Sequence, residues 1–480
     1  MPSMQLDPDT CYRALRARDV RFDGRFYVAV SSTRIYCRPI CTVKPPKREN
    51  CTFFPSAAAA EDAGYRPCLR CRPELAPGNA SVDAVRRMAQ AAARLIEDGT
   101  VNGHGTQHIA RRLGVTDRHM RRVFQTEFGV SPIAFAQTQR LLLAKRLLTD
   151  TRLPVTEIAY ASGFGSARRL NALFKTRYRL NPTALRKAAG APAPADALHF
   201  DLGYRPPYDW DALLAFLGAR AIAGVEAIED RAYRRTVRIV ADKREYRGWI
   251  EVSPEKRKTA LRVAVSTSLA KAIPPVLARV KDLMDLSCHP DDVAHALGSL
   301  AARNPGLRVP GAFDGFETAV RAILGQQITV AAARTLAGRF AATFGETIET
   351  PFASLTTLFP SPSEVAEQRH RRVVACAVTS ARARSLLALA KALDRGELSL
   401  APGADIDATL EKLRALPGIG EWTAQYIAMR ALAWPDAFPH TDYGVMKALG
   451  ETNPKRVLEA AEAWRPWRAY AVMHLWQSLK

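Results

Sequence analysis

Two close pairs of cysteines constrain the fold of this 480-residue chain more than any other feature. Three residues separate Cys37 from Cys41 and two separate Cys68 from Cys71, and both pairs lie among arginine, lysine and proline. In a reducing compartment such thiols seldom form disulfides, and four thiolates suit the tetrahedral shell of zinc. The spacing therefore predicts a small module built around one Zn²⁺ ion held by all four cysteines.

The net charge of the chain is +22, and most of the excess lies in its first 190 residues. That part contains 32 Lys and Arg against 15 Asp and Glu, whereas the remaining residues contain 37 against 32. A basic half of this kind is typical of proteins that bind a polyanion, most often a nucleic acid such as double-stranded DNA. Charge alone leaves open the alternative of a basic surface that is merely well solvated.

No targeting or membrane segment is recognisable in the sequence. The first residues lack an apolar stretch followed by a cleavage site, and no apolar run is long enough to span a bilayer. We therefore expect a cytoplasmic protein that associates with the nucleoid through DNA and has no membrane partner.

An internal repeat organises the middle of the chain. Residues 109–132 align with residues 158–182, and each copy is patterned as a helix, a turn at Gly114 or Gly163, a second helix and a proline stop. This is the pattern of a helix-turn-helix, whose second helix can enter the major groove of DNA. The two second helices carry six candidate DNA contacts: Arg118, Arg121, Arg122, Arg168, Arg169 and Lys175. A solvated helix face is the alternative reading of such a basic run.

The repeat resembles the DNA-binding domain of AraC-type regulators, through its tandem arrangement and Gly163-Phe164 in the second copy. The resemblance covers residues 82–188 and implies promoter DNA, and with it RNA polymerase, as partners. The first copy departs from the pattern, because it has Val115 where the second has Phe164. The Ala/Pro-rich segment 189–197 that follows cannot hold a helix and is interpreted as a linker.

The rest of the chain divides into a mixed part and a helical part. Residues 198–285 alternate β-like and helical runs, whereas residues 286–480 are almost wholly helical in pattern. In the helical part, a glycine-rich hairpin with Leu416, Gly418 and Gly420 lies between two helical segments. Such a hairpin lets backbone N–H groups approach a DNA phosphate, and it is also a candidate site for a monovalent cation. An ordinary turn between two helices is the alternative.

Asp442 lies between a proline-containing loop and the apolar start of a helix. An acidic residue in this position is commonly an N-cap. However, a helix-hairpin-helix, a proline-containing loop and an aspartate in this order are the pattern of a DNA glycosylase superfamily. A carboxylate there can stabilise the positive charge that builds on deoxyribose when an N-glycosidic bond breaks.

Residues 198–480 resemble the AlkA family of alkylbase DNA glycosylases, most clearly in "YRPPYDWDALLAFLGARA", "FETAVRAILGQQITV" and "WRPWRAYAVMHLWQ". The resemblance implies that Asp442 is catalytic and that alkylated bases such as 3-methyladenine are excised. A cationic base would be held by cation–π attraction in an aromatic pocket formed by Trp422, Tyr426 and Trp476. The loop with Gln326 and Gln327 would fill the gap left by the flipped base.

Bifunctional relatives of these glycosylases carry a Schiff-base lysine two positions after the second glycine of the hairpin. This chain has Trp422 at that position. We therefore expect release of the base without cleavage of the strand.

Residues 8–75, with "YCRPIC" and "AGYRPCLRCRPE", resemble the N-terminal domain of the Ada methyltransferases. The resemblance implies that Cys37 irreversibly accepts the methyl group of a DNA methyl phosphotriester. Methylation turns a thiolate into a thioether and removes a negative charge, which favours DNA binding by the neighbouring helices. Basic residues around the cysteines are expected to offset the thiolate charge and hold phosphates: Arg34, Arg38, Lys44, Lys47, Arg48, Arg66, Arg70 and Arg72. A purely structural zinc site is the alternative.

These observations predict a multidomain α+β protein that acts as a monomer in the response to alkylation. It would be a transcriptional activator switched by methyl transfer and also a monofunctional glycosylase. The alternative is a regulator whose glycosylase-like part is inactive and only grips DNA. The predicted units are a zinc-bound α/β module (1–77), an all-α tandem helix-turn-helix (82–188), the linker (189–197), an antiparallel-sheet α+β subdomain (198–285) and an all-α helix-hairpin-helix glycosylase core (286–480).

Overall fold

The computed structural model describes residues 7–77, 84–99, 101–189, 197–241, 244–401 and 403–479. The order of elements confirms the predicted α+β class, because a small sheet module is followed by a helical region, a larger sheet and a helical core. In the described part of the chain, no helix is both long and apolar enough to cross a membrane.

The first unit is a small sheet flanked by two helices. Its elements are α1 (Pro8–Ala17), β1 (Tyr27–Val30), β2 (Ile35–Cys37), β3 (Cys51–Phe54), α2 (Ala57–Asp62) and β4 (Arg66–Pro67). The strand order is β3-β1-β2-β4, with β2 and β4 parallel and the other pairs antiparallel. The side chain of Ser56 caps α2 by accepting a hydrogen bond from the backbone N–H of Ala59.

Seven described helices form the second unit, and two pairs of them are the helix-turn-helix copies. The helices are α3 (Ala84–Glu97), α4 (Val101–Arg112), α5 (Asp117–Phe128), α6 (Pro132–Asp150), α7 (Val155–Ala161), α8 (Ala167–Tyr178) and α9 (Pro182–Ala189). The turns between α4 and α5 and between α7 and α8 use Gly114 and Gly163, both with positive φ, a conformation that favours glycine. The long helix α6 joins the two copies. Most of the predicted linker lies outside the described residues.

The third unit is an antiparallel sheet with helices against it. Its elements are β5 (Ala197–Gly203), α10 (Trp210–Gly218), β6 (Glu226–Glu229), β7 (Ala232–Ala241), β8 (Arg244–Pro254), β9 (Ala260–Ser266) and α11 (Ile273–Leu283). The strand order β5-β9-β8-β7-β6 is antiparallel throughout.

The fourth unit is helical apart from a short strand pair, β10 (Glu346–Thr347) with β11 (Thr357–Leu358). Its first helices are α12 (Pro290–Leu297), α13 (Ser299–Ala302), α14 (Gly315–Leu324), α15 (Val330–Phe344), α16 (Pro362–Ala366), α17 (His370–Val374) and α18 (Ser380–Asp394). The remaining helices are α19 (Ile406–Ala415), α20 (Glu421–Arg430), α21 (Tyr443–Leu449), α22 (Pro454–Ala461) and α23 (Arg468–Gln477).

Buried polar contacts join the units to one another. The carboxylate of Glu74, in the first unit, accepts hydrogen bonds from Lys145 Nζ on α6 at 2.7 and 2.8 Å, and both side chains are buried. Arg25 of the first unit donates to His289 Nδ1 at 2.9 Å in the fourth. Removal of either partner would leave an unpaired buried charge, at a cost of about 3–5 kcal/mol, so Glu74 and Lys145 depend on each other at the contact between the first unit and α6.

Candidate metal centre and candidate active site

The four predicted zinc ligands come together at one end of the small sheet. Cys37 ends β2, Cys41 follows in the next loop, and Cys68 and Cys71 follow β4. Their sulfur atoms all lie within 4.8 Å of one another. Zn–S bonds of 2.3 Å place tetrahedral sulfurs about 3.8 Å apart, so the cluster fits a single zinc ion.

The four cysteines differ in exposure. Cys37, Cys41 and Cys68 are buried, with 6% of the Cys37 surface exposed, whereas Cys71 is partly exposed. The backbone N–H of Arg38 donates to Cys71 Sγ at 3.4 Å, which stabilises a negative sulfur. Because Cys37 is buried, little of its surface is accessible to a methyl group on DNA.

Three of the predicted phosphate-binding cations have other roles. Arg38 is buried, donates from Nε to Asp23 Oδ1 at 2.8 Å and bonds the backbone oxygen of Cys71 at 3.1 Å. Arg72 pairs with Asp150 at 2.6 Å, and Arg48 pairs with Asp9. The guanidinium of Arg38 is enclosed by the protein and holds the cysteine loop, so it can offset the thiolate charge but is not placed to hold a phosphate. Exposed cations remain around the centre: Arg34, Lys44, Lys47 and Arg70.

The six basic residues predicted to contact DNA in the helix-turn-helix copies are all exposed. They lie on α5 and α8: Arg118, Arg121, Arg122, Arg168, Arg169 and Lys175. Arg121 also pairs with Asp117 at 2.7 Å and donates to Thr106 Oγ1 at 2.9 Å, so it is tied to the first helix of its own copy.

The glycine-rich hairpin lies between α19 and α20, as predicted from its composition. Gly418 has a positive φ, and a Cβ atom there would lie 2.4 Å from Ser385 Oγ, so a larger residue does not fit. Gly420 is the N-cap of α20 and is open to solvent, and Leu416 is half-buried. The first N–H groups of α20 are therefore available to an anion.

Asp442 is the N-cap of α21 and at the same time the acceptor for two tryptophans. Its Oδ1 accepts hydrogen bonds from the backbone N–H of Val445 at 3.0 Å and from Trp476 Nε1 at 2.8 Å. Its Oδ2 accepts from Trp422 Nε1 at 2.8 Å. The two interpretations of this residue are thus not exclusive, because one carboxylate caps the helix and is also held within an aromatic cluster.

The aromatic residues predicted from the sequence surround this carboxylate. The rings of Trp422 and Tyr426 are stacked with centroids 5.4 Å apart, and Tyr426 lies 6.4 Å from Trp476. Phe216 of α10 stacks on Trp476 at 6.3 Å. Gly444 completes the packing, since a Cβ there would lie 2.9 Å from Trp476 Cδ1 and 3.1 Å from Asp442 Oδ1.

Two arginines border the aromatic cluster. Arg430 Nη1 donates to the Tyr426 hydroxyl at 2.8 Å. Arg220 and Arg430 lie over the ring of Phe216, at 3.7 and 4.8 Å from its centroid. Burial alone would raise the pKa of Tyr426, but Arg430, Arg220 and Arg321 hold this pKa below its usual value. The phenol oxygen therefore lies in a positive environment.

The two loop glutamines have different environments. Gln326 Nε2 donates to the backbone oxygen of Gly418 and to Thr423 Oγ1, both at 2.9 Å, and so joins its loop to the hairpin. Gln327 is exposed and adopts a positive φ of 56°. Of the two, Gln327 has the free side chain.

The sequence interpretation missed Phe216, Arg220 and Arg430. Phe216 and Arg220 lie in the very segment that carries the glycosylase resemblance, about 200 residues before Trp422, and no local pattern marks them. Arg430 lies one helical turn after Tyr426 on α20, and that spacing was a usable signal.

Family models match three parts of the chain. The metal binding domain of Ada matches residues 10–74, a helix-turn-helix domain matches residues 109–188, and the AlkA N-terminal domain matches residues 199–314.

Curated relatives match the same parts, and some match nearly the whole chain. The probable bifunctional transcriptional activator/DNA repair enzyme AlkA of Mycobacterium tuberculosis is 38% identical over 99% of this chain and 97% of its own length. DNA-3-methyladenine glycosylase 2 of Escherichia coli is 37% identical over 58% of this chain and 96% of its own length. The bifunctional transcriptional activator/DNA repair enzyme Ada of Escherichia coli is 34% identical over 32% of this chain and 43% of its own length. The chain therefore belongs to the family of bifunctional transcriptional activator/DNA repair proteins that join an Ada metal-binding domain and a helix-turn-helix domain to an AlkA-type glycosylase.

Proposed function

We propose that this protein senses methylated DNA at Cys37, binds a promoter through α5 and α8, and excises alkylated bases at Asp442. The observation that carries the excision activity is the Asp442 carboxylate, which accepts hydrogen bonds from the indoles of Trp422 and Trp476. Both the charge and the aromatic surface that alkylbase excision requires are present in one place.

In the excision reaction, Asp442 stabilises the positive charge that develops on the deoxyribose as the N-glycosidic bond breaks, and it orients the attacking water. The rings of Trp422, Tyr426 and Trp476 hold the flipped base, and cation–π attraction favours a base made cationic by N-alkylation. Gln327, which is exposed, fills the space the base has left, while Gln326 keeps the loop against the hairpin.

The reaction ends with an abasic site. No lysine is present at the position of Trp422, so no Schiff base forms from that residue and the strand stays intact. Backbone N–H groups at Gly418 and Gly420 and the open end of α20 bind a backbone phosphate near the lesion. A monovalent cation at the hairpin remains a prediction.

In the sensing reaction, the Cys37 sulfur attacks the methyl carbon of a DNA methyl phosphotriester. The S–C bond forms, the C–O bond breaks, and the phosphodiester leaves with its normal negative charge. Cys37, Cys41, Cys68 and Cys71 would hold a zinc ion, which would keep such a sulfur deprotonated and nucleophilic at neutral pH. The exposed cations Arg34, Lys44 and Arg70 hold the DNA at the centre.

Loss of one thiolate charge then favours DNA binding by the helix-turn-helix copies. The duplex is contacted by Arg118, Arg122, Arg168, Arg169 and Lys175. The protein binds DNA as a monomer and recruits RNA polymerase. The modules are residues 1–77, 82–188, 198–285 and 286–480, with 189–197 as the linker.

The alternative is a regulator whose glycosylase part has lost catalysis and only binds DNA. An excision assay separates the two. The wild-type protein should release 3-methyladenine from alkylated duplex DNA and leave abasic sites that become breaks only after heat or alkali. If the protein binds zinc and DNA but releases no alkylated base, the result supports the alternative, a regulator without glycosylase activity.

A further inference from the structure

A buried carboxyl lies where the zinc module meets the helix-turn-helix domain. Glu61, near the end of α2, is 3% exposed. It accepts hydrogen bonds from three hydroxyl groups: Tyr36 at 3.0 Å, Thr138 at 2.9 Å and Tyr178 at 2.8 Å. Tyr36 and Tyr178 are fully buried and Thr138 is nearly so. One side chain therefore joins a strand of the sensor to two helices of the DNA-binding domain.

The position of each donor connects this cluster to the two proposed sites. Tyr36 directly precedes Cys37 in β2. Tyr178 is the last residue of α8, the second helix of the second helix-turn-helix copy. Thr138 belongs to α6, which joins the two copies. One chain of contacts from the acceptor cysteine to α8 thus passes through a single carboxyl, beside the direct contact of β4 with α8.

A second contact fixes the same end of α8. Arg177 Nη1 donates to the backbone oxygen of Glu61 at 3.2 Å. Both the backbone and the side chain of Glu61 are thus bonded to the last turn of α8. Tyr36 and Tyr178 donate to the same oxygen, Oε1, and Thr138 donates to Oε2. A hydroxyl that left the carboxyl would lose its buried partner, which favours joint movement of the carboxyl and its donors.

We propose that Glu61 is a positioning residue that couples the state of Cys37 to the placement of α8 on DNA. This inference rests on the proposed sensing function. A methyl group added at Cys37 must be accommodated at the end of β2, where Tyr36 is the adjoining residue. When Tyr36 shifts, Glu61 keeps all its hydrogen bonds only if Tyr178, and with it α8, shifts as well. The cluster makes the sensor strand and this helix respond as one two-state element.

The inference is tested in the full-length protein at pH 8 with Glu61→Gln and Tyr178→Phe. Each protein is methylated with duplex DNA that carries methyl phosphotriesters, and transfer to Cys37 is measured by peptide mass. Affinity before and after methylation is measured on a duplex selected from a random pool by the methylated wild type. Couplings between sites are typically about 5- to 150-fold, and we expect a wild-type gain in that range.

Both variants should retain zinc and should methylate Cys37 within about twofold of the wild-type rate, whereas their affinity gain should shrink to about twofold or less. Tyr27→Phe is the matched control. It removes a buried hydroxyl from the ring that packs against Tyr36 at 5.9 Å but does not belong to the Glu61 cluster, so the full gain should persist.

The possible failures can be told apart. A wild-type protein that takes no methyl at Cys37 contradicts the sensing function itself. A wild type that is methylated and gains affinity, together with variants that gain as much, overturns the coupling role of Glu61 alone. If Glu61→Gln loses zinc or fails to fold, Tyr178→Phe decides, since it removes one hydroxyl far along the chain from every cysteine ligand.

Discussion

Trp422 donates its indole N–H to Asp442 Oδ2 at 2.8 Å, which leaves that oxygen bound to a neutral donor rather than to a cation. Asp442→Asn replaces one carboxylate oxygen with an NH2 group. We expect the excision rate to fall by at least about 10²–10³-fold, because the charge that stabilises the sugar cation is lost. Release of 3-methyladenine from alkylated duplex under single-turnover conditions measures the effect.

The amide cannot satisfy every donor around Asp442, because its NH2 group must face an indole or backbone N–H that also donates. The unfolding free energy should therefore fall by about 1 kcal/mol, although the cap on α21 can be kept by the amide oxygen. Affinity for damaged duplex should stay close to that of the wild type. An Asp442→Asn enzyme that excises at a near wild-type rate would show that this residue is only an N-cap.

Gly444→Ala should reduce excision without unfolding the protein. The added Cβ would lie 2.9 Å from Trp476 Cδ1 and 3.1 Å from Asp442 Oδ1, so the tryptophan or the carboxylate must move. Displacements on the order of 1 Å can cost about 100-fold in rate. Gly338→Ala is the matched control, since it lies within α15 and, outside the backbone of its own helix, no atom lies within 4 Å of the added group. The control should gain about 0.5–1 kcal/mol of stability and keep full activity.

The zinc centre makes a prediction about which sulfur reacts. After exposure to methyl phosphotriester DNA, peptide mass mapping should place a single methyl group on Cys37, although Cys71 is the more exposed of the two. Removal of zinc with a chelator should lower the melting temperature of the first unit and abolish transfer, since the thiolates then bind protons. Methylation of Cys71 instead would reassign the acceptor to the less buried cysteine.

The salt dependence of promoter binding tests the basic helices. Lys175→Ala removes an exposed cation from α8 and should weaken binding to all duplex sequences alike. The slope of log K against log [salt] should fall by about one, as expected for one lost phosphate contact. A selective loss for one sequence, with an unchanged slope, would mean that Lys175 reads a base.

The burial of Glu61 leads us to expect that the stability of the protein depends on pH. Burial raises the pKa of Glu61 from 4.5 to about 7, despite the hydrogen bonds from Tyr178, Thr138 and Tyr36 and the nearby Arg177. Between these two values the folded protein binds a proton that the unfolded chain has released. The contribution of Glu61 to the free energy of unfolding therefore falls as pH rises from about 4.5 through 7, and it is constant at higher pH.

Comparison with Glu61→Gln isolates this effect, since the amide does not titrate and both proteins carry the same zinc centre. The difference in melting temperature, wild type minus variant, should decrease between pH 5 and pH 8. A difference that stays constant over this range would show that the carboxyl titrates near its ordinary pKa.

The local patterns were the most informative part of the sequence. Cys37, Cys41, Cys68 and Cys71 are close in sequence by pairs, so their spacing alone indicated a shared ion. The helix-turn-helix copies were recognisable from their turns at Gly114 and Gly163, where the local backbone geometry requires glycine. The α+β class followed in the same way from the alternation of β-like and helical runs in residues 198–285.

Tertiary features could not be predicted in this way. Glu61 follows four alanines in "SAAAAED" and has the pattern of a surface residue, yet it is buried by helices more than 70 residues away. Arg38 was interpreted as a phosphate contact because its charge is visible in the sequence, whereas its partner Asp23 is visible only in the fold. Phe216 likewise joins Trp476 only when α10 packs against the helical core.

The buried pair of Glu74 and Lys145 joins the cysteine centre to α6, which lies between the two helix-turn-helix copies. If Cys37 accepts methyl groups and α5 and α8 bind a promoter as we propose, a docked protein reaches phosphates only within a short range of its target sequence. A methyl phosphotriester elsewhere on the duplex would then have to be found before docking, while the protein slides along unrelated sequence.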